Sequence, residues 1–226
     1  MAGDIALPVL LKTKQFVSEE KKMKKTVVLS LAAVLCLGLT SAAATINLGN
    51  FEGTMDNWQM QSGATGTYST FGATNGASSL EVVFPSSWKT VMKLDMLSQL
   101  DVMKTLEEVS LDITTRNDNG QIPAWWLNVI LIVNSETGGW QDMGDKYTAG
   151  VPWSPRTETL SWTIPQSIRD NFINNGAGGW AELFIVTNSG ASGTLWLDNI
   201  NAKVPEPATL SVLGLGALAL LKRRKA

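Results

Sequence analysis

Trp125-Trp126-Leu127-Asn128-Val129-Ile130-Leu131-Ile132-Val133-Asn134 is the stretch whose reading decides the fold. It is rich in β-branched, aromatic and other apolar residues, and its length is that of one strand. Successive side chains of a strand point to opposite faces. One face therefore carries Trp125, Leu127, Val129, Leu131 and Val133, a row fit only for a core. The other carries Trp126, Asn128, Ile130, Ile132 and Asn134, and reads as a platform facing solvent. A strand with one such apolar face needs a second layer to cover it.

Short runs of the same kind recur on both sides, separated by Gly, Asn, Ser and Pro clusters. They are Ile46 to Leu48, Gly66 to Phe71, Ser79 to Phe84, Lys89 to Leu94, Glu108 to Thr114, Thr157 to Ile164, Trp180 to Thr187 and Thr194 to Ile200. Leu80, Val82 and Phe84 fall on one face, as do Val109, Leu111 and Ile113, and then Leu160, Trp162 and Ile164. These rows are predicted core. Leu97 to Leu106 and Gln166 to Asn174 read as short helices, the second entered at Pro165. No internal repeat is present. The pattern is that of an all-β domain built as a β-sandwich.

Two further places refine that architecture. Asn50-Phe51-Glu52-Gly53 followed by Asp56-Asn57-Trp58 opens the body, and Leu195-Trp196-Leu197-Asp198-Asn199-Ile200 closes it. Asn75-Gly76-Ala77-Ser78-Ser79-Leu80 supplies a turn and strand between them. This arrangement resembles the jelly-roll carbohydrate-binding modules of the galactose-binding-like superfamily. The resemblance implies first and last strands lying side by side and a structural Ca²⁺ joining them, with Glu52 and Asp198 as carboxylate ligands and carbonyl oxygens completing the six to eight positions calcium takes. Read from the residues alone, Asp198-Asn199 serves equally as a turn or bulge and Glu52 as a solvated carboxylate.

All nine tryptophans fall inside the body, more than its core needs, so some are expected at the surface. An indole combines a flat apolar area with one N–H donor, which suits stacking on a sugar ring. Trp126 and Asn128 on the predicted platform, and Trp140, Tyr147 and Trp153 in the Gly/Pro-rich stretch after it, are the candidate glycan-binding residues. That stretch reads as a loop, also holding Gln141, Asp142 and Asp145. The competing reading has these aromatics pinning loops to the sandwich edge.

The two ends of the chain are of a different kind. Met23-Lys24-Lys25, the apolar run Thr26 to Leu39 and Ala42-Ala43-Ala44 have the charged, apolar and small-x-small parts of a secretory signal peptide, expected to be cut after Ala44, with Ala42 and Ala44 read by the peptidase. Residues 1–22 show no sustained period, and Met23 is the expected true start, the alternative being a cytoplasmic tail before a signal anchor. Cys36, the single cysteine, lies in the apolar run, so the body has no disulfide and no thiolate.

At the other end stand Val204-Pro205-Glu206-Pro207, an uncharged run from Ala208 to Leu221, and Lys222-Arg223-Arg224-Lys225. The prolines keep the triplet extended. About 14 residues make roughly 21 Å of helix against about 30 Å of hydrocarbon, which suits a temporary stop in the bilayer. The cations stay on the cytoplasmic side. This order closely resembles the PEP-CTERM sorting signal, with Val204, Pro205, Glu206, Pro207, Arg223 and Arg224 at its motif positions. It implies export through the Sec translocon, transient holding in the inner membrane, and recognition by an exosortase in bacteria that make exopolysaccharide. An uncut tail anchor is the alternative.

The body between these ends, residues 45–203, holds 16 acidic and 8 basic residues, a balance of −8 that argues against a nucleic-acid partner. The chain has no histidine, which removes triad, HExxH and imidazole acid–base chemistry. Only a two-carboxylate glycosidase drawn from Glu136, Asp142, Asp145, Glu158 and Glu182 stays open, and no spacing pairs them. The expected protein is a non-enzymatic, exported β-sandwich of the cell envelope or extracellular matrix that binds surface polysaccharide. The rival is a purely structural matrix or adhesion protein. The expected division is an extension (1–22), signal peptide (23–44), β-sandwich (45–203) and sorting signal (204–226).

Overall fold

A computed structural model describes residues 43–85, 87–116, 126–149, 155–174 and 179–205. The extension, the leader through Ala42, the sorting tail from Glu206 onward, and both Trp125 and Trp153 lie outside the described residues.

Eleven strands are described: β1 (Ala43–Gly49), β2 (Trp58–Met60), β3 (Thr65–Ser69), β4 (Ser79–Phe84), β5 (Lys89–Asp95), β6 (Glu108–Thr115), β7 (Trp126–Ser135), β8 (Gly139–Ala149), β9 (Arg156–Thr163), β10 (Ala181–Ser189) and β11 (Gly193–Pro205). They form two sheets whose ladders are all antiparallel. The six-stranded sheet runs β3-β4-β11-β6-β9 with β1 also on β11, and the five-stranded sheet runs β2-β5-β10-β7-β8. First and last strands do lie side by side, from Ala43 opposite Pro205 to Gly49 opposite Ile200. The architecture is the jelly-roll type of all-β sandwich.

The alternation read from sequence places the core. Leu80, Val82 and Phe84, then Val109, Leu111 and Ile113, are buried on the inner face of the six-stranded sheet. Leu127, Val129, Leu131 and Val133 meet them from the five-stranded sheet. Each such side chain contributes about 1.5–3 kcal/mol, which lets a body without disulfides hold together. Trp58, Trp162 and Trp196 are buried too, and each indole N–H is satisfied: by the Leu48 carbonyl, the Gly144 carbonyl and the Glu81 carboxylate.

Two short helical segments complete the unit. A 3-10 turn (Leu97–Gln99) runs into α1 (Leu100–Thr105), and α2 (Gln166–Ile173) follows Pro165 and buries Ile168 and Phe172, four residues apart on one face. None of the described helices is long and apolar enough to cross a membrane.

The strand pattern differs from the sequence reading in two ways. β2 was not foreseen, being three residues long. Gly139 to Ala149, expected as a loop, is the eleven-residue strand β8. Its glycines mark conformation rather than irregularity: Gly139 (φ 62°) closes the turn of the β7–β8 hairpin, and Gly144 (φ 92°) sits where the ladder shifts register between Ile130 and Ile132. Trp140 and Tyr147 are therefore strand residues, not loop residues.

Candidate functional site

The outer face of the five-stranded sheet is assembled by register. Residues directly opposite in antiparallel strands share a face, so β8, β7, β10 and β5 lay out rows across it. One row is Trp140, Asn134, Glu182 and Asp95; the next is Asp142, Ile132, Phe184, Lys93 and, on β2, Gln59; then come Asp145, Ile130, Val186 and Thr90. Tyr147, Asn128 and Asn188 form a fourth row, and Trp126 stands opposite Ala149 at the end. From Glu182 to Asn188 the face extends about 20 Å, at about 3.3 Å per residue.

Its floor is apolar and its rim polar. Ile130, Ile132, Phe184 and Val186 form a second hydrophobic cluster, separate from the main core. The row expected to form a solvent-facing platform does not face solvent: Ile130, Ile132 and Val186 have no exposure at all, and Phe184 is 8% exposed. What faces solvent is Trp140, 49% exposed, its ring 4.9 Å from Phe184 and tilted by 37°. Phe184 thus holds the indole in place as a ready stacking surface.

Around it the polar groups are fixed by mutual hydrogen bonds. Lys93 Nζ pairs with Glu182 Oε1 at 3.0 Å, and Asn134 Nδ2 donates to Glu182 Oε2 at 2.8 Å. Asn128 Nδ2 donates to Asp145 Oδ2 at 3.1 Å, and the Gly144 N–H to Asp142 Oδ1 at 2.7 Å. At the β2 edge the surface opens into a depression of about 680 Å³ lined by Asn57, Gln59, Asp95, Leu97, Ser98 and Gln99, with Trp58 behind.

Four of the five candidate residues, Trp126, Asn128, Trp140 and Tyr147, therefore fall at positions of this one sheet face; Trp153 lies outside the described residues. Sequence reasoning missed Phe184 and Lys93, singled out Glu182 only as a carboxylate open to glycosidase chemistry, and missed two more exposed indoles. Trp180 (48% exposed) immediately precedes β10 and continues the alternation of Glu182 and Phe184; Trp88 (45%) immediately precedes β5. The alternation Trp180, Glu182, Phe184, Val186, Asn188 was available as a signal, since it carries the same apolar centre and polar ends as the β7 platform.

Glu52 and Asp198 belong to a different feature. Glu52 Oε1 accepts the N–H groups of Ala77 and Ser78 at 2.8 and 2.9 Å. Asp198, fully buried, accepts at Oδ2 from Thr74 N (2.6 Å), Asn75 N (2.8 Å) and Thr74 Oγ1 (3.1 Å), and at Oδ1 from Asn199 N (2.7 Å). Both carboxylates hold the same 74–78 loop. Asp112, opposite Asp198 in the ladder, accepts from Thr74 Oγ1, Thr159 Oγ1 and Asn199 Nδ2. Asn199 (φ 51°) lies where β11 shifts register, so Asp198-Asn199 is a bulge.

A cation needs six to eight oxygen lone pairs turned toward one point. Here the oxygens of Asp198 and Oε1 of Glu52 meet N–H and O–H hydrogens, which carry the cation's own sign of charge. Among the described residues no group of three or more acidic, His or Cys side chains is placed to hold a metal. The donors present fit a hydrogen-bonded clasp and do not fit a calcium cage.

Comparison with known proteins adds the following. Residues 203–225 match the model of the PEP-CTERM protein-sorting motif. No curated protein matches the chain. Among solved structures, the CBM22-1–CBM22-2 tandem domain from Paenibacillus barcinonensis Xyn10C gives a TM-score of 0.51 at 15% identity, covering 75% of this chain and 48% of that one. The CBM22-1 xylan-binding domain from the same protein gives 0.49 at 16% identity, covering 74% and 99%. The C-terminal family 22 carbohydrate binding module of Clostridium thermocellum Xyn10B gives 0.49 at 12%, covering 71% and 92%. At such identity the tandem domain establishes likeness of fold, a carbohydrate-binding-module jelly roll.

Proposed function

We propose that this chain is an exported cell-surface or matrix protein that is delivered by its C-terminal sorting signal, freed from the inner membrane by an exosortase, and binds surface polysaccharide through the outer face of the five-stranded sheet. The sorting half rests on the match of residues 203–225 to the PEP-CTERM motif. The binding half rests on one observation: Trp140, half-exposed and propped on Phe184, with hydrogen-bonding amides and carboxylates in the adjacent rows. An apolar stacking surface beside fixed polar groups is what a sugar ring requires, since each pyranose offers a C–H face and a rim of hydroxyls.

A non-catalytic role fits the carboxylates. Glu182, Asp142 and Asp145 each accept from a neighbouring donor, while Glu158 stands on β9 of the other sheet beside Arg156. Affinity electrophoresis in gels containing bacterial exopolysaccharide tests the proposal. The native protein is expected to be retarded, and Trp140→Ala to lose roughly tenfold in affinity, as stacking is worth about 0.5–1.5 kcal/mol beyond area burial. Unretarded migration of the native protein in every polysaccharide tried would leave only a structural role in the matrix.

A further inference from the structure

The outer sheet face that stacks sugar in the proposed function also has a sign of charge. By register, Asp142, Asp145, Glu182 and Asp95 all stand at outward positions; among the described residues Lys93 shares that face, while Lys146, next to Asp145 on β8, stands opposite Val129 and so on the other side of the strand. Lys93 is already neutralised, its ammonium 3.0 Å from Glu182. Asp142 and Asp145, both exposed on β8, are paired among the described residues with uncharged donors, a backbone N–H and an amide. Among the described residues, the stacking surface is therefore bordered by net negative charge.

From this charge complementarity we infer that the face takes an amino-bearing glycan, one with free hexosamine nitrogens, in preference to its uncharged counterpart, and rejects uronate-bearing polymers. The inference rests on the sugar-binding reading above. Trp140 holds the ring, and Asp142 and Asp145 discriminate by attracting an ammonium and repelling a carboxylate. Neither residue builds the floor, so neutralising them changes selectivity without removing the stacking surface.

The test compares one backbone in two charge states: a β-1,4-linked N-acetylglucosamine oligomer and the same oligomer deacetylated, with an oligouronate as the third probe. Binding to the full chain is followed by calorimetry at 20 mM and 500 mM salt. At low salt the deacetylated oligomer is expected to bind roughly fivefold more tightly than the acetylated one, the effect of two exposed charge pairs. High salt is expected to remove the preference, because screening shortens to a few ångströms. Asp142→Asn with Asp145→Asn brings the ratio close to one. A control pair on the other sheet, Glu108→Gln with Glu158→Gln, leaves the ratio intact. Equal or tighter binding of the acetylated or uronate probe overturns the inference, as does an equal loss of preference in the control pair, which would mean bulk attraction to an acidic body. Failure to bind any of the three oligomers sinks the sugar-binding reading itself.

Discussion

Asp198 shows how much one buried carboxylate is asked to hold. It sits in the middle of β11 with no exposure and answers three N–H groups and one hydroxyl, two of those N–H groups belonging to a loop 123 and 124 residues away in sequence. Asp198→Ala leaves the Thr74 and Asn75 N–H groups without an acceptor, and each orphaned donor costs about 1–3 kcal/mol. A loss of about 3 kcal/mol in urea unfolding is expected; a loss under about 0.5 kcal/mol would show that the loop does not depend on it. Asp56 makes a separate case. Burial raises its pKa, but the Thr54 hydroxyl and the N–H groups of Asn50 and Phe51 outweigh that and hold the carboxyl below its ordinary value. With the folded pKa below the unfolded one, its contribution is full above the unfolded value of about 3.9 and is lost as pH falls through the folded value. Urea midpoints of the native protein and Asp56→Asn should therefore differ at pH 5 and converge as pH falls through the folded pKa. A constant difference across that window would assign the effect to packing instead.

At the scale of elements, the 74–78 loop is held between β1's exit and the β11 bulge by carboxylates from both. Gly76 permits this: at φ 102° it adopts a conformation L side chains avoid, and a Cβ there would lie 2.3 Å from Glu52 Oε1. Glu52 and Asp198 both accept hydrogen bonds from the loop's own N–H groups. Calcium chelation by EGTA is expected to leave the melting temperature unchanged within about 1 °C; a fall of 4 °C or more, about 1 kcal/mol for a domain this size, would show that an ion replaces those contacts. β8 carries the opposite lesson. Its residues Trp140, Asp142, Asp145 and Tyr147 look like loop chemistry because two glycines and three charges interrupt any apolar alternation. An edge strand with a bulge need show no such alternation, since only one side of it pairs. The hairpin with β7 makes it a strand, and that pairing is not written in β8 itself.

For the whole molecule, the described body ends as it begins, with β1 and β11 zipped from Ala43–Pro205 inward. Val204 and Pro205 thus belong both to the sorting motif and to the last strand, and Val204 is buried. Pro205 suits a strand's last position, where its missing N–H breaks no ladder bond. Intact mass of the native protein is expected to show a chain beginning near Thr45 and ending at or beyond Pro205, short of the apolar run. A product still carrying Ala226 would refute processing of the tail. Ala43 and Ala44 pair with Pro205 and Val204, so a leader cut after Ala44 would shorten β1 to Thr45, opposite Lys203.

The sequence by itself determined the all-β sandwich, its core rows and the sorting motif, because each depends on near neighbours: side-chain alternation has a period of two, and an address signal is read as a linear string. Leu127, Val129, Leu131 and Val133 were core on that ground alone. Only the tertiary structure decided that Ile130 and Ile132 are sealed, that Trp140 rests on Phe184 from a strand 44 residues on, and that Glu52 and Asp198 clasp one loop instead of presenting open oxygens. Those facts are set by cross-strand register and by which donors arrive at a carboxylate, and both are fixed by chain segments far apart in sequence.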